Sequence, residues 1–359
     1  MFHLYYGNDL RGLARVLGER LGDADADRLL TPAVVLIPQT GMRRWLEIEL
    51  AEQRGVVANV DFKLPGEFVA DVLRAANPAL PERSGFDRDV LRWRLLPLLA
   101  EIAAEPLGAP VAHYLGGDGA ALKRLQLARE LAAAFERYQA YRRPLLAAWE
   151  NDAEPHDWQA ELWRRLVRAS AEPSRAQLLG DYLRRYDRAA TPPGLPPRVS
   201  VFGCLNVSPD VLRLLGVVAR HVEVDAYLPT PCREYWGDQR DLRERLRAGE
   251  SPLAEPDQPL LASLGRVGRE FFEQVFSYEE IQPASETLVV REPSRATLLG
   301  RIQADVLELR CAHAEPGSVA ADDSLRVHRC DSPLREVQVL RDRLLARFER
   351  DATLRPRDV

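Results

Sequence analysis

"VVLIPQTGMRRWLE" (residues 34–47) is an apolar run that stops at a polar turn holding one glycine, after which apolar residues recur at helical spacing. Strand, turn, helix is the outline of a phosphate-binding loop. Such a loop needs backbone N–H groups that close around phosphate oxygens, a lysine for the outer phosphates and a Ser or Thr for magnesium. Here Gly41 is followed by Met42 and Arg43 where the lysine and hydroxyl belong, and no G-x-x-x-x-G-K-[ST] occurs anywhere in the chain. The two lysines present, Lys63 and Lys123, follow no glycine-rich turn. The shape of a triphosphate site is kept and its chemistry is missing.

Upstream, "FHLYYG" (2–7) suits a buried strand and "DLRGLARVLGERL" (9–21) a helix, so the opening of the chain predicts β-α-β-α and a parallel sheet with crossover helices. The acidic "GDADAD" (22–27) suits a solvated loop better than a metal site, because no partner ligands lie nearby. Residues 66–190 carry helical periodicity, including one long helical run over "ALKRLQLARELAAAFERYQAYRRPLLAAWE", and end at the proline-rich "TPPGLPP" (191–197). Strand patterns return in "RVSVFG" (198–203) and "VEVDAYL" (222–228). Residues 231–310 predict loops and helices, "LLASLGRVGREFFEQVF" being the clearest. "SLRVHRC" (324–330) predicts a strand, and "SPLREVQVLRDRLLARFER" a helix capped by Ser332 ahead of Pro333.

With 359 residues, 46% of them hydrophobic, the chain can bury a large core in two or more domains. A net charge of −5 excludes a global basic field, so nucleic-acid contact has to come from local clusters. The basic residues are nearly all arginine, which a GC-rich genome explains more readily than phosphate binding does, although the two are compatible. Cys204, Cys232, Cys311 and Cys330 form no C-x-x-C pair, which fits reduced thiols in a cytoplasm. No run is long enough to span a membrane, and the first residues lack a signal-peptide layout. The last residues open a new apolar run, as expected of the amino-terminal part of something longer.

Enzymatic motifs are sparse. His3, His113, His156, His221, His313 and His328 are scattered without metal-site spacing, and no G-x-S-x-G is present. The strand ends "VSVFGCLN" and "VEVDAYLP" lack paired acids, Asp225 standing alone. "DFK" (61–63) matches the carboxylate-x-lysine element of a metal nuclease, but so short a match carries little, and Asp61 suits a loop cap better. Binding chemistry is richer. "FERYQAYRRP" (135–144) interleaves Phe135, Tyr138 and Tyr141 with Arg137, Arg142 and Arg143. Such a helix can stack bases, at about 1–3 kcal/mol each, or bury its rings in a helical core. Trp163 of "ELWRRLVR" (161–168) reads as core. Gln39, Thr40 and Arg44 follow a parallel strand at the end where open α/β sheets bind ligands, and Thr40 also suits an ordinary helix cap.

Several longer segments resemble the gamma (RecC) subunit family of exodeoxyribonuclease V, the RecBCD complex. They include "QTGMRRWL" (39–46), "GVVANVDFKLP" (55–65), "FERYQAYR" (135–142), "PPGLPPRV" (192–199) and "PCREYWGD" (231–238). "PLLASLGRVGRE" (259–270), "IQADVLEL" (302–309) and "CDSPLREVQVLRDRLL" (330–345) extend the likeness along the chain. The resemblance implies a degenerate superfamily-1 helicase-like, P-loop-NTPase-like core with large helical insertions. Phe202 would stand where active relatives carry their magnesium-holding acid. Residues 1–65 with 191–230 would form the first helicase-like domain, 66–190 its helical insertion and 231–320 its completion, with 321–359 opening a second domain.

The same resemblance implies a subunit that performs no chemistry of its own. It would scaffold RecB-like helicase-nuclease and RecD-like helicase partners, which use the ATP and Mg2+, at a bacterial DNA end in the cytoplasm. It would guide the unwound 3′ strand and inspect it for Chi. By position, Thr40, Arg44, Leu64, Glu136, Arg142 and Arg175 join Gln39 as DNA-binding candidates, with no catalytic or metal residue. Pro38, Ala70, Ala133 and Ala134 depart from the larger or polar side chains of better-known members, and their side chains offer no hydrogen bonds to a base edge. The competing class is an active motor or a metal nuclease using Asp61 and Lys63.

Overall fold

The computed structural model describes residues 1–22, 31–151, 157–186, 190–251, 257–279, 281–311 and 322–359. Most of the acidic stretch at 22–27, together with His156 and His313, therefore lies outside the described residues. The strands are β1 (Phe2–Gly7), β2 (Ala33–Leu36), β3 (Val60–Lys63), β4 (Arg198–Phe202), β5 (Glu223–Pro229) and β6 (Pro283–Leu288). They form one sheet in the order β3-β2-β4-β5-β1-β6, with every pairing parallel. The expected α/β class with a parallel sheet is what the chain adopts.

The sheet is buried on both faces, which is why its central strands read as continuous apolar runs. One face packs Val35, Ile37, Phe202 and Tyr227 under α1 (Leu10–Gly22) and α2 (Thr40–Arg54). The other packs Leu36, Val201 and Leu228 against α3 (Pro65–Ala76), α9 (Arg175–Tyr186) and α10 (Pro209–Ala219). Connections that run toward β3 use the first face and connections that run back use the second, as right-handed crossovers require.

A second core, apart from the sheet, unites α4 (Arg88–Ala103), α5 (Ala109–Leu115), α6 (Ala120–Tyr141), α7 (Arg143–Glu150) and α8 (Trp158–Arg168). Phe135 and Trp163 are fully buried there, in edge contact at 5.4 Å. Burying a side chain such as Phe135 contributes about 1.5–3 kcal/mol. α9 joins the two cores, because Ala176 belongs to the helical one and Leu179, Tyr182 and Tyr186 to the sheet's.

Four expectations need correction. β3 and β6 are strands beyond those expected, β3 because the alternation in its four residues is too short to stand out, β6 because "PASETL" is a polar edge strand. Residues 324–330 form no strand, for they find no partner among the described residues. The single helix over 120–150 is two, since Pro144 cannot continue α6 and instead occupies the first turn of α7. "LLASLGRVGREFFEQVF" likewise splits into α12 (Pro259–Leu264) and α13 (Arg266–Ser277). The joint is Gly265, where a Cβ would come within 2.5 Å of Leu261 O.

α11 (Leu242–Arg247) and α14 (Leu298–Leu307) complete the first part of the chain. α15 (Pro333–Arg350) starts as expected, with Ser332 Oγ accepting from Arg335 N at 3.2 Å. Among the described residues, no single helix is long and apolar enough to cross a membrane.

Candidate nucleic-acid interface

β2 and β4 are neighbours, yet the chain leaves β2 for α2 on one face and β4 for α10 on the other. Such a divergence opens a crevice at the carboxyl ends of the strands, where open α/β sheets hold ligands. A cleft of about 510 Å³ occupies this place. Pro38 and Gln39 supply one wall, Gly203 to Val207 the floor, Pro65 and Gly66 the start of α3, and Tyr141 and Arg175 the side facing the helical core.

Arg175 is set there by its helix. Ser174 and Gln177 form a reciprocal cap, Gln177 N donating to Ser174 Oγ at 3.2 Å and Ser174 N to Gln177 Oε1 at 2.8 Å. Gln139, buried in α6, accepts from Arg175 N at 3.2 Å and donates to Phe86 O at 3.2 Å, tying α9 to both α6 and the loop before α4. The guanidinium itself makes no hydrogen bond or ion pair with another described residue. Burial lowers its pKa, opposed by the more distant carboxylates of Glu136, Asp87 and Asp210. A half-buried guanidinium without a bonded carboxylate offers its whole donor fork to a ligand.

The "FERYQAYRRP" stretch divides its labour. Phe135 and Tyr138 pack against Trp163 and Trp149, so two of its three rings are core. Tyr141 is exposed and lines the cleft. Arg142 sits exposed at the break between α6 and α7, without a side-chain partner among the described residues. Arg143 is not available to a strand, because it forks onto the buried Asp210 of α10 at 3.1–3.2 Å and docks the helical core on the sheet. Trp163 is core, as its context suggested, its Nε1 donating to Glu150 Oε1 at 2.9 Å.

The remaining candidates fall elsewhere. Thr40 is exposed but does not cap α2, since Gln39 occupies the cap position and makes no side-chain bond there. Arg44 is exposed on α2 without a partner among the described residues, whereas Arg43 pairs with Glu47 at 2.8 Å. The Leu64 side chain packs into the apolar cluster beneath α1 and α2 rather than lining the cleft, which its neighbours Pro65 and Gly66 do instead. Glu136 is exposed on α6 beyond the cleft. Among the alanine departures, Ala70 lines a pocket adjoining Arg175, while Ala133 is buried.

Asp61 is a strand residue, not a loop cap. Lys63 Nζ bonds both Asp61 at 3.0 Å and Asp71 at 2.7 Å. Burial works against the Lys63 charge, but the Asp71 and Asp61 bonds outweigh it and raise its pKa, so this lysine is spent on neutralising carboxylates. Phe202, at the end of β4, is sealed between Trp45 and Tyr227. After β1 the turn is closed: Asn8 exchanges two hydrogen bonds with the Arg291 backbone at 2.9–3.0 Å, and a Cβ on Gly7 would strike Val289 O. At the opposite end of the sheet, His3, Glu223 and Asp225 bring ligand atoms within 4.8 Å of one another. Arg20 already bonds both carboxylates there, at 2.9 and 3.3 Å, and Arg198 approaches Asp225 at 3.6 Å. A cation would have to displace two guanidinium groups.

Sequence reasoning missed Gln139, the residue that sets Arg175. Its bonded partners lie 53 and 36 residues away, so no local pattern marks it.

Comparison with known proteins places these features in context. The family described as "RecC, N-terminal domain" matches residues 2–309. The chain is 31% identical over 411 residues to "RecBCD enzyme subunit RecC" of Escherichia coli K12, covering 100% of this chain and 36% of that protein. The subunit of the same description from Haemophilus influenzae is 28% identical over 424 residues, covering 100% and 38%. That from Mycolicibacterium smegmatis is 31% identical over 359 residues, covering 97% and 31%. The chain thus spans about a third of the length of these curated relatives.

Proposed function

The chain belongs to the RecC family, and on that premise we propose that it is the strand-holding, non-catalytic part of a RecBCD-type helicase-nuclease in double-strand break repair. The observation that carries this reading is Arg175, an unbonded guanidinium in the switch-point cleft, with exposed Tyr141 and Gln39 also lining it and exposed Arg142 next in sequence to Tyr141. Rings for bases and open guanidinium forks for phosphates are what a single strand needs. Exposed Thr40 and Arg44 follow Gln39 along α2 and are assigned to the border of this path, and Leu64 anchors the start of α3 beside Pro65, whereas Glu136 lies beyond the cleft.

We read the sheet as a helicase-like core emptied of its triphosphate chemistry. The turn after β1 is locked by Asn8 and Arg291, the turn after β2 lacks a lysine, and β4 ends in a sealed phenylalanine. ATP and Mg2+ would then be used by RecB-like and RecD-like partners in the bacterial cytoplasm. The unwound 3′ strand would cross this cleft, where a Chi-type sequence is inspected. Because Pro38 and Ala70 present no hydrogen-bonding side chains, the word read here differs from that of relatives with polar groups at those places, or is read more loosely.

The test is binding of a fluorescent single-stranded oligonucleotide across a salt series. Affinity should fall with salt by a slope of about 0.7 per phosphate held, and the chain alone should turn over no nucleotide. Absence of single-strand binding at low salt, or ATP hydrolysis by the purified chain, would overturn the reading.

A further inference from the structure

The cleft does not end at Arg175. Gly66 and Arg175 also line an adjoining pocket, and Asp87 of that pocket lines a trough of about 580 Å³ between the first turn of α4 and α6. One stripe of α6 runs the whole way. Arg129, Ala132 and Glu136 face the trough, while Ala140 and Tyr141 face the cleft, at spacings of three, four and four residues up to Ala140. From Arg129 to Tyr141 this stripe is about 18 Å long at the rise of an α-helix. Small Ala132 and Ala140 keep its floor low between longer side chains.

The trough holds four guanidinium groups, from Arg83, Arg88, Arg92 and Arg129, against three carboxylates, and Arg129 is paired with the neighbouring Glu130 at 3.3 Å. Asp87 is engaged with Ser84 N at 3.0 Å, and Asp89 lies 3.7 Å from Arg92. Arg92 also stacks over Trp93, which is 57% exposed. Arg83 and Arg88 are exposed and make no side-chain bond with another described residue. Structural arginines in this helical core look different: Arg164 and Arg165, for example, are bonded to Glu161 at 3.1 and 2.9 Å.

We propose that this trough is a second phosphate-holding station, in which Arg83 and Arg88 grip the backbone of a single DNA strand continuing beyond the cleft. The inference rests on the strand-holding reading above. It adds that the strand path includes the α4–α6 trough, so affinity depends on strand length in a way the cleft alone does not explain. The contacts are to phosphates, so they position the strand without reading its bases.

The experiment compares oligothymidylates of about 4 and about 16 nucleotides, the span of single-strand site sizes, on the 359-residue chain and on its Arg83→Glu/Arg88→Glu variant. Glutamate at position 88, the first residue of α4, suits the helix dipole, and position 83 is exposed in the loop before it, so the variant keeps its fold, which a thermal melt verifies. The expected result is an unchanged affinity for the short strand and about a tenfold loss for the long one. The long strand's salt slope should also fall by about 1.4, two phosphates at 0.7 each. If the unaltered chain binds both strands and the variant keeps the full advantage of length, or loses both affinities equally, the trough proposal fails while the cleft stands. If the unaltered chain binds neither, both fall.

Discussion

The two ends of the sheet use the same residue types for opposite purposes. At the amino end, Arg20 and Arg198 are locked onto Asp225 and Glu223 beneath α1, with His3 Nδ1 held to Ser285 Oγ at 2.8 Å. At the carboxyl end, Arg175 is half-buried and Arg142 exposed, and neither has a bonded carboxylate among the described residues. Arginine abundance therefore says little by itself. What separates the two ends is whether the fold supplies the counter-charge.

This contrast breaks first at the amino end. Asp225→Ala strips the buried carboxylate from between two guanidinium groups. The expected loss is about 3 kcal/mol, the low end for a broken buried pair, because both arginines keep some solvent access and Glu223 stays. Denaturant unfolding measures it; a loss below the surface-pair range would mean that the network is ornamental. Strand affinity should fall only as far as the folded fraction does.

Arg175→Ala should behave in the reverse way. Stability changes little, since no bond is lost, while single-strand affinity drops by about 1–3 kcal/mol. A melt and a binding isotherm on the same sample give both numbers. Arg142→Ala should follow with a smaller loss and a reduced salt slope, its guanidinium being more exposed.

Gln139→Ala sharpens the comparison by leaving Arg175 in place but untethered. Two hydrogen bonds at about 0.5–1.5 kcal/mol each are removed, so modest destabilisation comes with weaker binding. Restoring affinity with Gln139→Glu, which still accepts from Arg175 N, would identify positioning as the role. Unchanged binding in the alanine variant would show that the ion-pair dock of Arg143 on Asp210 suffices to hold α9.

The smallest effect comes from the thiols. Burial pushes both Cys204, in the cleft floor, and Cys232 up to about 12. A raised pKa favours the neutral thiol in the folded state. Its stabilising effect is therefore complete below the ordinary thiol range near about 8.5 and declines as pH rises from there toward 12. Alkylation at mild alkaline pH should reach Cys311 and Cys330 well before Cys204, and rapid modification of Cys204 would show that the cleft floor opens.

How much of this was legible in the sequence follows from where each residue's partners lie. β1, β2, β4 and β5 announce themselves because burial on two faces demands unbroken apolar runs. β3 and β6 do not, since an edge strand tolerates Lys63 or Glu286. Among the candidate residues, Gln39 and Arg175 line the cleft and Glu136 the α4–α6 trough, but Leu64 turned inward and Thr40 does not cap α2. Periodicity placed Phe135, Tyr138 and Tyr141 on one helix without saying which ring would stay outside. Only the packing of α7 and α8 against α6 decides that, and the same packing made Gln139 and Asp210 necessary.

The position of β1 between β5 and β6 has a consequence for biosynthesis. β1 has no strand partner until residues 224–229 have been made and is not flanked on both sides until residue 288. At about 5–20 residues per second, "FHLYYG" waits roughly 15–60 s for both of its backbone edges to be paired. Translation speed through the intervening helical region thus becomes part of how the sheet is closed.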